Sequence, residues 1–317
     1  MCFIKEHILL RKVWEVNNIN GKDLSKQPQI GRFVNSEAEA QFLKLYDDAM
    51  KQWPNPREEL TVETSLGPTH IYAFGEKLGQ PIVLLHGASS TSASWASFVG
   101  TLGKYHRVFA IDIIGDAGRS IQKAPIQYAS DYVVWLDEVL QSLKLKNVHL
   151  MGASYGGWMA LNQAIHSTEY LQSITLLDPA RALDGISARA WPFMLFASIF
   201  GPDFIRHRFI QWTGAGSLPN KIQTELVISA MRDYKMTRIP PQYVSNEELQ
   251  SVKVPTLLLL GEKSPLHHSK RAAVRAKALL RNVEVEIIPK AGHQLPADLV
   301  NGKVLSFIKS QKEAQDI

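Results

Sequence analysis

Two rhythms of apolar positions divide the chain. From Pro81 onward, short and nearly unbroken apolar runs recur: "PIVLLHG" from Pro81, "RVFAIDIIG" from Arg107, "NVHLMGAS" from Asn147, "SITLLDP" from Ser173 and "PTLLLLG" from Pro255. Runs this short, without polar alternation, suit strands covered on both faces of a parallel sheet. Stretches with helical spacing lie between most of them, such as "DYVVWLDEVLQSL" over 131–143. Strand–helix alternation predicts an α/β fold, a doubly wound and mostly parallel sheet with right-handed crossovers.

Before Pro81 the pattern is different. Residues 1 to about 35 show no clear period and read as an irregular lead-in. "SEAEAQFLKLYDDAMKQW" over 36–53 sets Phe42, Leu45, Tyr46 and Met50 at helical spacing, with Ser36 as its cap and "PNP" as its stop. "EELTVETSLGPTHIYAFG" over 58–75 reads as two alternating strands around Gly67-Pro68. One connection is far longer than a normal loop. Between Asp178 and Val254 no sheet strand is evident, and "ISARAWPFMLFASIFGPDFIRHRFIQW" and "NKIQTELVISAMRDY" read as helices separated by Pro and Gly. The expected organisation is an N-terminal extension with a helix over 1–57, a core built from 58–178 and 254–317, and a helical cap over 179–253.

Composition narrows the function classes. The 317 residues carry 35 basic and 30 acidic side chains, a net charge of +5. The basic residues are scattered rather than clustered, which speaks against a nucleic-acid partner. Cys2 is the single cysteine, so no intrachain disulfide forms and a reducing compartment is permitted. The start, "MCFIKEHILLRKVWEV", is too charged for a signal peptide. The apolar run over 190–201 is too short to span a bilayer. A cytoplasmic protein without a membrane span is the expectation.

The strongest chemical signal is "HLMGASYGGWMAL" over 149–161, an apolar strand, Gly152-Ala153-Ser154-Tyr155-Gly156, then a helical pattern. A serine at such a turn stands on a tight backbone that lifts Oγ above the sheet. The helix that follows favours negative charge near Ser154. In "LLHGASS" over 84–90, the Ala88 N–H is placed to point where the Tyr155 N–H points, a pair of donors for an oxyanion. His86 reads as a brace for that loop. In "IIPKAGHQL" over 287–295, His293 follows an apolar strand and is the candidate general base and acid. The adjacent His267 and His268 read as surface residues, poorly disposed to ligate one metal. No metal or phosphate-cradling motif is visible, and no cofactor is required.

Together, "HGA", "GASYGG" and "AGH", in this order, resemble the α/β-hydrolase superfamily over about Val62 to the C-terminus. "DIIGDAGRS" over 112–120 resembles the family's glycine-containing loop. A helix ending in Trp53-Pro54 and "DIIGD" make the chain similar to bacterial carboxylesterases of the naproxen-esterase type. The resemblance implies a nucleophilic Ser154, a two-amide oxyanion hole and a helical cap over the sheet. It also exposes a departure. The family's usual acid stands three residues after the glycine that ends the penultimate strand, and here that position is Ser264. Two acids compete instead. Asp178, in "TLLDPA", ends the strand after the nucleophile helix, where some relatives such as haloalkane dehalogenases place theirs. Glu262 follows Gly261 directly. Asp178 is the preferred acid and Glu262 the alternative.

The insertion is aromatic, with Trp191, Phe193, Phe196, Phe200, Phe204, Phe209 and Trp212. Most belong to its own core. Trp191, Phe196 and Trp212 are the candidates for an apolar substrate pocket, which favours a small molecule with an apolar acyl or aryl group. The reading is a serine carboxylesterase acting through an acyl-enzyme. The rivals are the same serine chemistry on another bond (a thioester, lactone, acyl transfer or C–C bond), or a non-catalytic ligand-binding protein on the same scaffold.

Overall fold

The computed structural model describes residues 30–199, 201–216 and 219–313. The chain enters through β1 (Arg32–Phe33) and helix α1 (Ser36–Met50). The cap of α1 is Asn35 rather than Ser36: its side chain accepts the Ala38 N–H at 2.8 Å. Asparagine is as good a cap as serine, and the extended backbone at Asn35 presents its side-chain oxygen to the first turn. Phe42, Tyr46 and Met50 are buried on the inner face of α1. The Tyr46 hydroxyl donates to Asp112 Oδ1 at 2.6 Å, which fastens this helix to the sheet.

β2 (Glu58–Val62) and β3 (Thr69–Gly75) form the antiparallel pair expected around Gly67-Pro68. Gly67 has φ +126°, and a Cβ there would lie 2.2 Å from the Ile121 carbonyl oxygen, so only glycine fits. Next come β4 (Pro81–Leu85), helix α2 (Ala96–Leu102), β5 (Arg107–Ile111), α3 (Ala129–Ser142), β6 (Val148–Ala153), α4 (Tyr155–His166) and β7 (Leu171–Leu177). The segment up to β9 holds α5 (Ala190–Ile199), α6 (Asp203–Thr213), α7 (Lys221–Asp233), β8 (Tyr234–Lys235) and α8 (Asn246–Ser251). β9 (Thr256–Gly261), α9 (Ser269–Leu279), β10 (Val283–Ile288) and α10 (Ala297–Glu313) complete the chain.

Eight strands form one sheet in the order β10-β9-β7-β6-β4-β5-β3-β2. The pairs from β10 through β5 are parallel, and β3 joins β5 antiparallel. Alternate strand residues feed opposite cores. Val83, Leu85, Leu258 and Leu260 pack with α3, α4 and α9, whereas Ile82, Leu84, Leu257 and Leu259 pack with α1, α2 and α10. Both faces are therefore apolar, which is why these strands read as unbroken runs rather than alternating ones.

The insertion is not purely helical. β8 pairs antiparallel with β1 in a separate two-stranded ribbon, and the Val34 N–H reaches the Asp233 carbonyl at 2.8 Å. Two-residue strands leave no periodicity in a sequence. Among the described residues no helix is long and apolar enough to cross a membrane.

Candidate active site

The C-terminal ends of β4, β6, β7, β9 and β10 meet along one edge of the sheet, the edge where sites of open α/β sheets gather. β6 runs into Ser154, whose φ of +52° and ψ of −110° are strained for a residue with a Cβ. Neighbouring backbone holds it there. The Ser154 N–H donates to the Leu177 carbonyl at 2.9 Å, and the Ser154 carbonyl accepts the N–H groups of Trp158 and Ala180. The flanking glycines have a steric cause. A Cβ on Gly152 would lie 2.1 Å from the Gly156 carbonyl oxygen, and one on Gly156 would lie 2.1 Å from that of Leu85. Ser154 is only partly buried, so the turn presents it above the sheet.

The loop after β4 lies against it, since a Cβ on Gly87 would meet Ser154 Cβ at 3.4 Å. His86 is buried and braces this loop as expected. Its Nε2 accepts the Ile113 N–H at 2.9 Å, which leaves Nδ1 to donate to the Gly87 carbonyl at 2.8 Å. Ala88 is exposed, and Tyr155 opens α4.

Two residues that the sequence did not single out clamp this region. The Ser89 N–H donates to Asp116 Oδ2 at 2.9 Å, and Arg238 reaches the same oxygen at 2.6 Å. The Arg238 guanidinium also lies 5.3 Å from the centre of the Tyr155 ring, whose hydroxyl donates to the Ile239 carbonyl at 2.8 Å. Asp116 and Arg238 are 122 positions apart in sequence, so no local pattern links them.

The two acids have opposite fates. Asp178 is fully buried, and its Oδ2 lies 2.5 Å from His293 Nδ1. The same oxygen accepts the Ser264 hydroxyl at 2.7 Å, while Oδ1 accepts the Gly261 N–H at 2.9 Å. Ser264, at the position where the family usually carries its acid, thus hydrogen-bonds the Asp178 carboxylate. Glu262 is exposed and accepts the Lys290 N–H at 2.8 Å. The structure brings Asp178 to His293 and does not bring Glu262 there.

His267 corrects the surface reading. It is buried, and its Nε2 lies 3.3 Å from Asp178 Oδ1, a charge contact without aligned hydrogen-bond geometry. A buried carboxylate draws donors around itself because its desolvation is otherwise uncompensated. His268, next in the chain, is exposed as expected. Burial pushes the Asp178 carboxyl up, but the contacts from His267 and His293 outweigh it and hold the group well below the usual carboxylate range. Burial pushes His267 down, but Asp178, with Asp184 behind it, outweighs this and leaves His267 above the ordinary histidine value.

The insertion touches the site through its α6 end. The His293 N–H donates to the Thr213 carbonyl at 2.7 Å. A Cβ on Gly292 would lie 2.6 Å from that same oxygen, so the glycine before His293 admits this contact. Among the described residues no hydrogen bond joins Ser154 Oγ to His293. Trp212 packs on Phe193 and Phe209, with ring centres 5.4 and 6.3 Å away. With Phe193, Arg208, Gln211, Ala215 and Gly216, Trp212 lines an open cavity of about 560 Å³. Trp191 is 52% exposed and Phe196 48%, while Phe200 lies outside the described residues.

A model of the alpha/beta hydrolase family matches residues 82–299. The chain belongs to that family. It is similar to carboxylesterase YbfK of Bacillus subtilis, 32% identical over 87% of this chain and 96% of the relative. A second Bacillus subtilis protein, an uncharacterized carboxylesterase called nap, is 27% identical over 85% of this chain and 93% of the relative. Solved structures agree. The carboxylesterase CesB (YbfK) structure superposes with a TM-score of 0.80 at 30% identity, over 86% of this chain and 98% of its own. Naproxen esterase from the same organism superposes with a TM-score of 0.81 at 27% identity, over 86% of this chain and 99% of its own.

Proposed function

We propose that the protein is a carboxylesterase-type serine hydrolase in which Ser154, His293 and Asp178 form the catalytic triad. The observation that carries this reading is the buried Asp178 carboxylate, 2.5 Å from His293 Nδ1, on the sheet edge that also holds the strained Ser154. Ser154 Oγ attacks the ester carbonyl carbon while His293 Nε2 takes its proton. Asp178 accepts the Nδ1–H, fixes the tautomer and stabilises the imidazolium that forms. The Ala88 and Tyr155 N–H groups receive the developing oxyanion, an effect worth about 3 kcal/mol per donor. The tetrahedral intermediate collapses, and His293 gives its proton to the departing alkoxide. Water then attacks the acyl-serine with His293 as base, and the acid product leaves.

The insertion acts as a cap. Its aromatic side chains favour a small ester with an apolar acyl or aryl group, and Trp191, Phe196 and Trp212 are the pocket candidates. Asp116, itself held by Arg238, accepts the Ser89 N–H beside Ala88, and together they steady the oxyanion loop. The single cysteine suits a reducing cytoplasm.

The test is covalent labelling by a fluorophosphonate probe, combined with turnover of a panel of p-nitrophenyl esters, thioesters and lactones. Labelling that disappears in Ser154→Ala, with esters the fastest substrates, supports the reading. Labelling without ester preference assigns the same machinery to another bond. No labelling of the folded protein means a binding protein on a hydrolase scaffold.

A further inference from the structure

Asp178 faces two histidines, and a triad needs only one. His293 meets Oδ2 from the loop after β10, and His267 meets Oδ1 from the loop after β9. The remaining contacts on this carboxylate are uncharged, the Gly261 N–H and the Ser264 hydroxyl. His267 is as buried as a core side chain, and its Nε2 has no aligned acceptor although it lies 3.3 Å from the carboxylate. The other charged groups around it are already committed. Asp184, in the loop after β7, accepts the His268 N–H at 2.9 Å and pairs with Arg271 of α9 at 2.7 Å.

We infer that His267 is a positioning residue that shares the single Asp178 carboxylate with His293, and so sets where the acidic limb of the pH–rate profile falls. The inference rests on the assignment of Asp178 as the triad acid. Its logic is electrostatic. A proton on His267 places positive charge against Oδ1, and the same carboxylate then stabilises a proton on His293 less well. Burial keeps this coupling from being screened as a surface pair would be. The raised titration of His267 is in the direction this sharing requires.

The experiment is the pH dependence of kcat/KM for a p-nitrophenyl ester in wild type, His267→Gln and Asp178→Asn. Glutamine keeps an N–H able to reach Oδ1 but removes the charge that competes for the carboxylate. The acidic limb of His267→Gln is expected to move upward by about half a pH unit or more, with the alkaline plateau falling no more than about tenfold. A purely structural role would lower the plateau and leave the limb in place, and that result overturns the inference. Undiminished turnover in Asp178→Asn overturns the acid assignment beneath it. Loss in Asp178→Asn with an unmoved limb in His267→Gln overturns the sharing alone. Should His267→Gln fail to fold, histidine-labelled wild type followed by NMR decides the matter. Linked titrations of His267 and His293 support the inference, and two independent one-proton curves refute it.

Discussion

Strands β7 and β9 lie side by side and parallel, and each ends in an acidic residue at the same edge of the sheet. Asp178, one residue past β7, is fully buried beneath hydroxyl, amide and imidazole partners. Glu262, one residue past β9, faces solvent and spends its carboxylate on the backbone of Lys290. The difference comes from backbone direction. Asp178 adopts φ +45°, which turns its side chain across the edge toward β9 and the histidine loop. The Glu262 N–H instead continues the β9–β10 ladder by donating to the Ile288 carbonyl, and its side chain stays at the surface. Proximity to a strand end therefore does not make an acid catalytic. Asp178 differs from Glu262 in being desolvated, held by several donors and directed at His293.

Mutations can break this comparison at several strengths. Ser154→Ala removes the proposed nucleophile, and kcat for p-nitrophenyl esters should fall by about six orders of magnitude with the fold retained; His293→Ala should be nearly as damaging. Circular dichroism on the same samples separates lost chemistry from lost structure. Next in size is the oxyanion clamp. Asp116→Asn weakens the charge that holds Ser89 and Arg238, and kcat should fall by about ten- to a hundredfold with KM little changed. A change in KM alone would place Asp116 in substrate binding instead.

Smaller effects test the cap and the buried charge. Trp212→Ala should shift the ratio of kcat/KM between short and medium acyl esters by about 1 kcal/mol per methylene accommodated. An unchanged ratio in Trp191→Ala, Phe196→Ala and Trp212→Ala would mean that the cap does not select the acyl chain. Stability should also track the Asp178 pair, and the two signs differ. The depressed Asp178 contributes stability above the ordinary carboxylate value of 3.8, and this is lost as pH falls through its folded value. The raised His267 contributes below its ordinary value of 6.5, and this is lost as pH rises through its folded value. The Tm advantage of wild type over His267→Gln should therefore be largest at mildly acidic pH and shrink as the solution becomes alkaline.

Much of this site was legible in the chain because its strongest signals are local. Gly152, Ser154 and Gly156 crowd one turn between a strand and a helix, and that crowding is written in consecutive residues. The sheet was equally readable, since strands buried on both faces leave unbroken apolar runs. Asp178 stood out because it ends a strand on the same edge while Ser264 occupies the family's usual acid position, and the contact it makes with His293 was not written in any local pattern. His267 was hidden because its partner lies across β7 and β9. Asp116 and Arg238 were hidden for the same reason, and the β1–β8 ribbon because two residues make no period.

The central claim is that the triad acid resides at the end of β7. Its most direct test is kcat for Asp178→Asn and Glu262→Gln, measured side by side on active-site-titrated protein. Asparagine keeps the size of aspartate and most of its hydrogen bonding, so it isolates the charge and the histidine tautomer. With the acid at Asp178, Asp178→Asn should lose about four orders of magnitude in kcat and Glu262→Gln should keep near-wild-type turnover. Adding Ser264→Asp to Asp178→Asn should restore part of the lost rate, because the Ser264 hydroxyl already lies 2.7 Å from Asp178 Oδ2. A crippled Glu262→Gln beside an active Asp178→Asn would contradict the account.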